Sequence, residues 1–185
     1  MANHTCPIWI GHLLASPLRK LLENPGKILK PHIKEGMKVL DIGSAMGFFS
    51  LPMAELVTFK GKVICIDLQQ KMLDALIKRA EKAGVAETIE TRLAEPDSLN
   101  IKDLKQTIDV AVAYHVLHEV NNQEAFLAET FNALKSKGKL LFSEPRGHVS
   151  KADFNKSLTL AEKIGFFISN SPGTRRSCAA LLEKP

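Results

Sequence analysis

The sequence predicts an α/β fold, a doubly wound and mainly parallel sheet with helices on both faces. Three observations predict it. Short apolar runs rich in β-branched residues alternate with helix-patterned stretches along most of the chain, an order that gives parallel strands joined by crossover helices. The run Ile108 to Tyr114 carries almost no polar residues, as a central strand buried on both faces should. The last two runs, Phe166 to Ser169 and Cys178 to Leu182, have no helix between them. So short a connection suits an antiparallel pair.

The elements follow in order. Val39-Leu40-Asp41 ends a first strand, introduced by a turn containing Gly36. Ser50 to Val57 reads as a helix, with Pro52 allowed in its first turn. Lys62 to Asp67 is the second strand. Lys71 to Lys82 is a helix with Leu73, Leu76, Ile77 and Ala80 as its apolar stripe, and Gly84 stops it. Thr88 to Leu93 alternates as a strand, and Ile108 to Tyr114 is the fourth. Asn122 to Leu134 is a helix ended near Gly138, Lys139 to Glu144 is the fifth strand, and Ala152 to Ile164 is a helix closed by Gly165.

Composition bounds the function. A chain of 185 residues with 45% hydrophobic and 24% charged residues builds one cored domain. The net charge of +5 rests mainly on lysines scattered at helical spacing (Lys78, Lys82) and in turns (Lys135, Lys137). That is a solvated surface rather than the clustered footprint of a nucleic-acid binder. Three cysteines are too few and too dispersed for a disulfide scaffold; Cys65 and Cys178 read as small core residues. No stretch reaches the roughly 18–20 apolar residues of a membrane span. Met1 to Ala15 is apolar but lacks a basic leader and is broken by Pro7 and His12, so it is expected to belong to the folded domain. A reducing, cytoplasmic setting is the expectation.

The chemistry centres on Val39-Leu40-Asp41-Ile42-Gly43-Ser44-Ala45-Met46-Gly47-Phe48, an apolar strand running through a small-residue turn into a helix. Small residues let a ligand approach the backbone, and a helix start offers free N–H groups. The dinucleotide fingerprint is not met, because Ala45 stands third in the turn and the Gly-x-x-Gly half is missing. Ile64-Cys65-Ile66-Asp67 then ends in an acid 24 residues after Gly43. An acid so placed can accept both hydroxyls of a nucleoside ribose; it can equally cap the helix that follows.

These residues resemble the class I S-adenosylmethionine-dependent methyltransferases. Asp41, Gly43 and Gly47 match that family's first motif, Glu/Asp-x-Gly-x-Gly-x-Gly, with Ala45 replacing the middle glycine. The run Arg92 to Leu99 resembles the turn after the third strand that presents an acid to the adenine amino group, with Glu95 at that position and Asp97 as the substitute. Asp109 to Val120 resembles the fourth strand and its following turn, and Leu134 to Leu141 the turn before strand five. The resemblance implies a Rossmann-like, seven-stranded, mostly parallel sheet with the last strand antiparallel. It implies S-adenosylmethionine as cofactor, held by Asp41, Gly43, Ser44, Ala45, Gly47, Asp67, Leu68, Glu95 and Tyr114. The whole chain, 1–185, then reads as a single methyltransferase domain, with 1–35 an N-terminal extension or lid and 36–185 the core.

Ligands of open α/β sheets sit beyond the carboxyl ends of the strands. Those ends supply Tyr114, His115, His118 and Glu119 after strand four, and Glu144, Arg146 and His148 after strand five. His115 and His148 are the candidate bases; His118 fits the family's helix-opening histidine and reads as structural. The Asn/Asp-Pro-Pro-Tyr/Phe run of base-amino methyltransferases is absent, since Ala113-Tyr114-His115-Val116 stands in its place. No cysteine lies near strands four or five, which argues against cytosine-carbon chemistry, and arsenite methylation would need several convergent cysteines where Cys65 reads as buried. A small-molecule acceptor is the expectation. An RNA or protein acceptor, or a non-catalytic S-adenosylmethionine-binding module, is the alternative, and a nicotinamide oxidoreductase is disfavoured by the Gly43 to Gly47 spacing. His4, Cys6 and His12 could ligate a soft metal, but the spacing fits no standard zinc pattern and no fourth ligand is evident, so no metal site is assigned. The segment is expected instead to pack Ile8, Trp9 and Ile10 over the donor pocket.

Overall fold

The computed structural model of the chain describes residues 23–170 and 177–185. The expected helix from Pro17 to Glu23 and the questions about His4, Cys6, Trp9 and His12 fall outside the described residues, apart from Glu23. The chain divides into two compact units, Met1–Ala94 and Glu95–Pro185.

The first unit carries helix α1 (Pro25–Leu29), strand β1 (Lys38–Ile42), helix α2 (Ser50–Val57), strand β2 (Lys62–Asp67), helix α3 (Gln70–Ala83) and strand β3 (Ile89–Leu93). Its strands are parallel in the order β3-β2-β1. Asp41 pairs in register with Cys65, and Asp67 with Leu93, so Asp41 and Asp67 both lie in the carboxyl-terminal halves of their strands. Gly84 ends α3 in the left-handed region at φ 70°, where its N–H caps the carbonyls of Ala80 and Glu81. The buried face of α3 is Met72, Leu73, Leu76 and Ala80. Met72 takes the place expected of Ile77, which is only half-buried.

The second unit carries strand β4 (Ile108–Tyr114), helix α4 (Gln123–Ala133), strand β5 (Leu134–Pro145), helix α5 (Lys151–Ile164), strand β6 (Phe167–Asn170) and strand β7 (Ser177–Glu183). The order is β4-β5-β7-β6, with β4 and β5 parallel and β7 antiparallel to both its neighbours. β4 is buried from Val110 to Ala113, as its composition required. The fold is the expected seven-stranded, mostly parallel, Rossmann-like sheet with β7 antiparallel to its neighbours β5 and β6. Among the described residues, no helix is long and apolar enough to cross a membrane.

One boundary differs from the sequence reading. Helix α4 stops at Ala133, and β5 starts at once, with Leu134 opposite Ile108. The ladder breaks between Ile108 and Val110 and resumes at Lys139. Gly138 therefore marks an irregularity inside the strand, not the end of the helix. A Cβ there would sit 2.8 Å from the Lys135 carbonyl oxygen. The helix stop comes from elsewhere: Lys184 Nζ donates to the carbonyls of Phe131 and Leu134, each at 2.8 Å.

Asp41 is the buried charge of β1, 3% exposed, and the Ser50 hydroxyl donates to its Oδ2. Burial pushes its pKa from 3.8 to about 7, against the lowering effect of Ser50 and with a smaller upward push from Asp67. The folded state thus holds the proton more tightly than the unfolded chain does. The stability this confers is full below about pH 4 and is lost as pH rises toward 7. Asp41→Asn keeps an acceptor for Ser50 and removes the titration. Its unfolding free energy relative to wild type should climb by about 1.4 kcal/mol per pH unit across that window, read by denaturant melts at several pH values; a pH-independent difference would show that Asp41 is ionised throughout. Close packing predicts a second result. A Cβ on Gly61 would lie 2.4 Å from the Met37 carbonyl oxygen and 2.7 Å from Val57 Cβ. Gly61→Ala should therefore destabilise the fold by about 1–3 kcal/mol in the same melts, and an unchanged midpoint would contradict the packing.

Candidate functional site

The site in the first unit is built around the turn between β1 and α2. Gly43 and Ser44 both donate their N–H groups to the Ile66 carbonyl at 2.9 Å, and Gly47 donates to the Ser44 carbonyl at 2.9 Å. Gly43 (φ 73°) and Gly47 (φ 82°) take the left-handed backbone that their residue type tolerates. Ala45 takes it too, at φ 45°, at a cost a glycine would not carry. Gly47 also faces α3 at contact distance: an added Cβ would lie 2.6 Å from Leu51 Cδ1 and 3.0 Å from Leu76 Cγ. The Arg79 guanidinium, from α3, donates to the Met46 carbonyl.

Asp67 closes the turn from the other side. Its Oδ2 accepts the Ala45 N–H at 2.9 Å and its Oδ1 the Gln69 N–H at 2.9 Å. Its own carbonyl accepts the Ala94 N–H at 2.9 Å. Burial raises its pKa, opposed by the backbone bonds from Gln69, Ala45 and Leu68. A carboxylate offers about four acceptor positions, so capacity remains for a ligand hydroxyl. Two further features fit a nucleoside. Ser44 Oγ is buried without a hydrogen-bond partner among the described residues, and Leu68, beside Asp67, is 46% exposed. The structure thus brings Gly43, Ser44, Ala45, Gly47, Asp67 and Leu68 together. Asp41 sits one step back, bound to Ser50 beneath the turn. Cys65 is fully buried, and burial pushes its thiol pKa well up, in keeping with an inert core residue.

The second unit holds the remaining sequence candidates. Glu95 is exposed, in a tight turn whose backbone pairs Glu95 with Ser98. Glu129 of α4, unnoticed in the sequence, pins that turn by accepting from the Leu99 N–H at 3.0 Å and the Ser98 hydroxyl at 3.3 Å. Tyr114 ends β4, its ring 4.5 Å from that of His115. His115 is left-handed at φ 63° and donates its N–H to the Ser143 carbonyl at 2.7 Å. His148 is exposed in the loop after β5, its ring edge-on to His118 at 5.7 Å.

The strongest polar pairing here is one the sequence did not reveal. Glu144, 2% exposed, accepts the Leu117 N–H at 2.8 Å through Oε1, and its Oε2 bonds His118 Nδ1. That bond raises the His118 pKa above its ordinary 6.5, against burial and with smaller help from the Glu144 and Glu119 charges. His118, Glu144 and His148 border a cavity of about 320 Å³, whose walls also include Leu117, Gln123 and Lys156. A glutamate at a strand end gives no sequence signal that it will be buried.

Comparison with known proteins agrees with this architecture. A family model described as Methyltransferase domain matches residues 33–175. The ubiquinone/menaquinone biosynthesis C-methyltransferase UbiE of Cronobacter sakazakii is 27% identical over 151 residues, 80% of this chain and 59% of that protein. The chain therefore spans about three fifths of the length of such curated relatives. A SAM-dependent methyltransferase from Aquifex aeolicus shares the fold at a TM-score of 0.86 and 22% identity, over 98% of this chain and all of that one. A TehB-like SAM-dependent methyltransferase from Corynebacterium glutamicum does so at 0.74 and 17%, over 97% of this chain and 100% of that one. With its turn, its strand-end acid and this match, the chain belongs to the methyltransferase domain family, within the class I S-adenosylmethionine-dependent methyltransferases.

Proposed function

We propose that this chain transfers a methyl group from S-adenosylmethionine to a small-molecule acceptor. The observation that carries the reading is the Asp67 carboxylate, joined to the Ala45 N–H across the small-residue turn. It leaves an acid and a close-approach backbone side by side, the pair a nucleoside needs. The donor-binding residues are Gly43, Ser44, Ala45, Gly47, Asp67 and Leu68, with Asp41 supporting the turn; the family resemblance adds Glu95 and Tyr114. The family match runs through both units, from 33 to 175, which supports reading 1–185 as one methyltransferase domain.

S-adenosylmethionine, when bound, supplies a methyl carbon already activated by a sulfonium. The protein's task is then chiefly positioning. Asp67 orients the ribose by accepting its hydroxyls, the turn excludes bulk from the approach, and the buried Ser44 hydroxyl gains a partner. A base enters only where the acceptor carries a proton of high pKa. The histidines after β4 and β5, His115 and His148 among them, are the candidate bases there. Two observations support a small acceptor. The curated relatives are named for quinone biosynthesis, and the cavity of about 320 Å³ is of small-ligand size.

Calorimetry should give heat with S-adenosylmethionine and with S-adenosylhomocysteine, and none with NAD; preferential NAD binding sinks the reading. Asp67→Ala should weaken donor binding by about 1.5–3 kcal/mol. It should also lower the melting temperature, because two backbone N–H groups lose their partner. Asp67→Asn keeps one acceptor oxygen and the side-chain shape. It separates the effects: affinity should fall roughly tenfold or more while the melt moves less, about 1.4 kcal/mol being a factor of ten. A melt that falls with unchanged affinity would give Asp67 a structural role alone.

A further inference from the structure

We propose that Arg79 is a positioning residue for donor binding: from helix α3 it fixes the Met46–Gly47 peptide of the turn after β1 in the one orientation that suits the nucleoside of S-adenosylmethionine. This assignment rests on the donor-binding reading of that turn, and all its parts lie in the first unit.

Met46 stands between two left-handed residues, Ala45 at φ 45° and Gly47 at φ 82°. Glycine tolerates φ of either sign, and an L-residue is disfavoured in the left-handed region. Nothing in the residue types themselves therefore keeps the peptide between Met46 and Gly47 from turning over. Its bonds do, one at each edge. The Gly47 N–H donates to the Ser44 carbonyl at 2.9 Å. The Met46 carbonyl accepts from the Arg79 guanidinium. The first tie is local to the turn, and the second comes from 33 residues further along the chain. The other N–H groups of the turn are held on the β2 side, Gly43 and Ser44 by the Ile66 carbonyl and Ala45 by Asp67. Arg79 holds the α3 side.

The sequence of α3 puts Arg79 in reach. It stands three residues after Leu76, so the two share a helix face. Leu76 is the side chain against which Gly47 packs, since an added Cβ there would lie 3.0 Å from Leu76 Cγ. Helical side chains lean toward the start of their helix, which carries the Arg79 guanidinium back over Leu76 to the turn. Met46 is 2% exposed. Deprived of the guanidinium, its carbonyl finds little water to take the donor's place. Burial also lowers the Arg79 pKa, as it does for a cation drawn out of water to meet such a carbonyl.

A peptide that samples two orientations offers the donor the competent one for only part of the time, and affinity falls by that fraction. Arg79 acts on the turn before any ligand arrives. Its loss should therefore weaken every molecule that carries the same nucleoside, and by the same factor.

The test uses the full chain, calorimetry with S-adenosylmethionine and S-adenosylhomocysteine, and amide NMR. Arg79→Met keeps an apolar stem and removes the donors. It should weaken both molecules by about tenfold, the result of a competent fraction near one tenth. Arg79→Lys keeps a cationic donor and should recover most of the loss. Lys78→Met removes the same charge from an exposed neighbour on α3 and should change neither affinity. The Gly47 amide should give one sharp signal in wild type, a broadened or doubled one in Arg79→Met, and one again in Arg79→Lys. A general loss of stability would not produce that pattern, and denaturant melts measure it separately. Should Arg79→Met fail to fold, Arg79→Gln, polar but shorter, carries the same expectations. A donorless variant that binds both molecules like wild type, or keeps a single sharp Gly47 signal, overturns the proposal. So does an unequal effect on the sulfonium donor and its thioether product, which marks a long-range charge effect instead. Wild type that binds neither molecule overturns the donor reading, and the Gly47 signal then decides the Arg79 assignment by itself.

Discussion

The first unit depends on one carboxylate reaching across two loops. Asp67 accepts from Ala45 in the turn after β1 and from Gln69 before α3. Hydrogen bonds to a charged group contribute about 1.5–3 kcal/mol each. That is enough to offset the roughly 1–2 kcal/mol of a left-handed alanine, which is how Ala45 stands at φ 45° where a glycine would be at ease. Asp67 does not cap α3, whose N-cap is Gln69 without a side-chain cap bond; its bonds to Ala45 and Gln69 hold the carboxylate still, and a fixed acceptor loses less entropy when a ligand binds.

The two buried acids of the strand ends solve the same desolvation problem in different ways. Asp41 has a hydroxyl partner, Ser50, and a second acid nearby, so burial dominates and the proton stays on until about pH 7. Glu144 has a backbone N–H and an imidazole as partners. A buried acid that is neutral serves as packing with a hydrogen bond. One that faces an imidazole moves that group's basicity, and it does so at the mouth of a cavity. Function follows from which donors the chain delivers, not from the acid.

Much of this was legible in the sequence, and the failures have physical causes. Helix α2 and strands β2 and β4 begin and end where the pattern put them, because Pro52, Asp67 and the apolar run of β4 are local signals. The turn after β1 was legible for the same reason, since Gly43, Ala45 and Gly47 lie within five residues. The end of α4 was not. Its carbonyls are capped by Lys184, which lies 50 and 53 residues away, and the nearby Gly138 offered a plausible but unrelated stop. Glu144 and His118 are 26 residues apart. Each alone looks like a polar residue at a strand end, where solvent is the ordinary surrounding.

That distinction also ranks the three histidines. His115 holds the end of β4: its backbone is left-handed, its N–H is tied to Ser143, and its ring lies against Tyr114. Strain of this kind persists where the surroundings over-determine it. His148 is exposed beside His118, and water screens what an exposed imidazole can do to an acceptor. His118 alone combines partial burial, a fixed carboxyl partner and a nitrogen without a bonded neighbour within hydrogen-bond range. A base has to be oriented before it can be selective. Of these side chains, His118 is the one whose ring is bonded to a buried carboxylate.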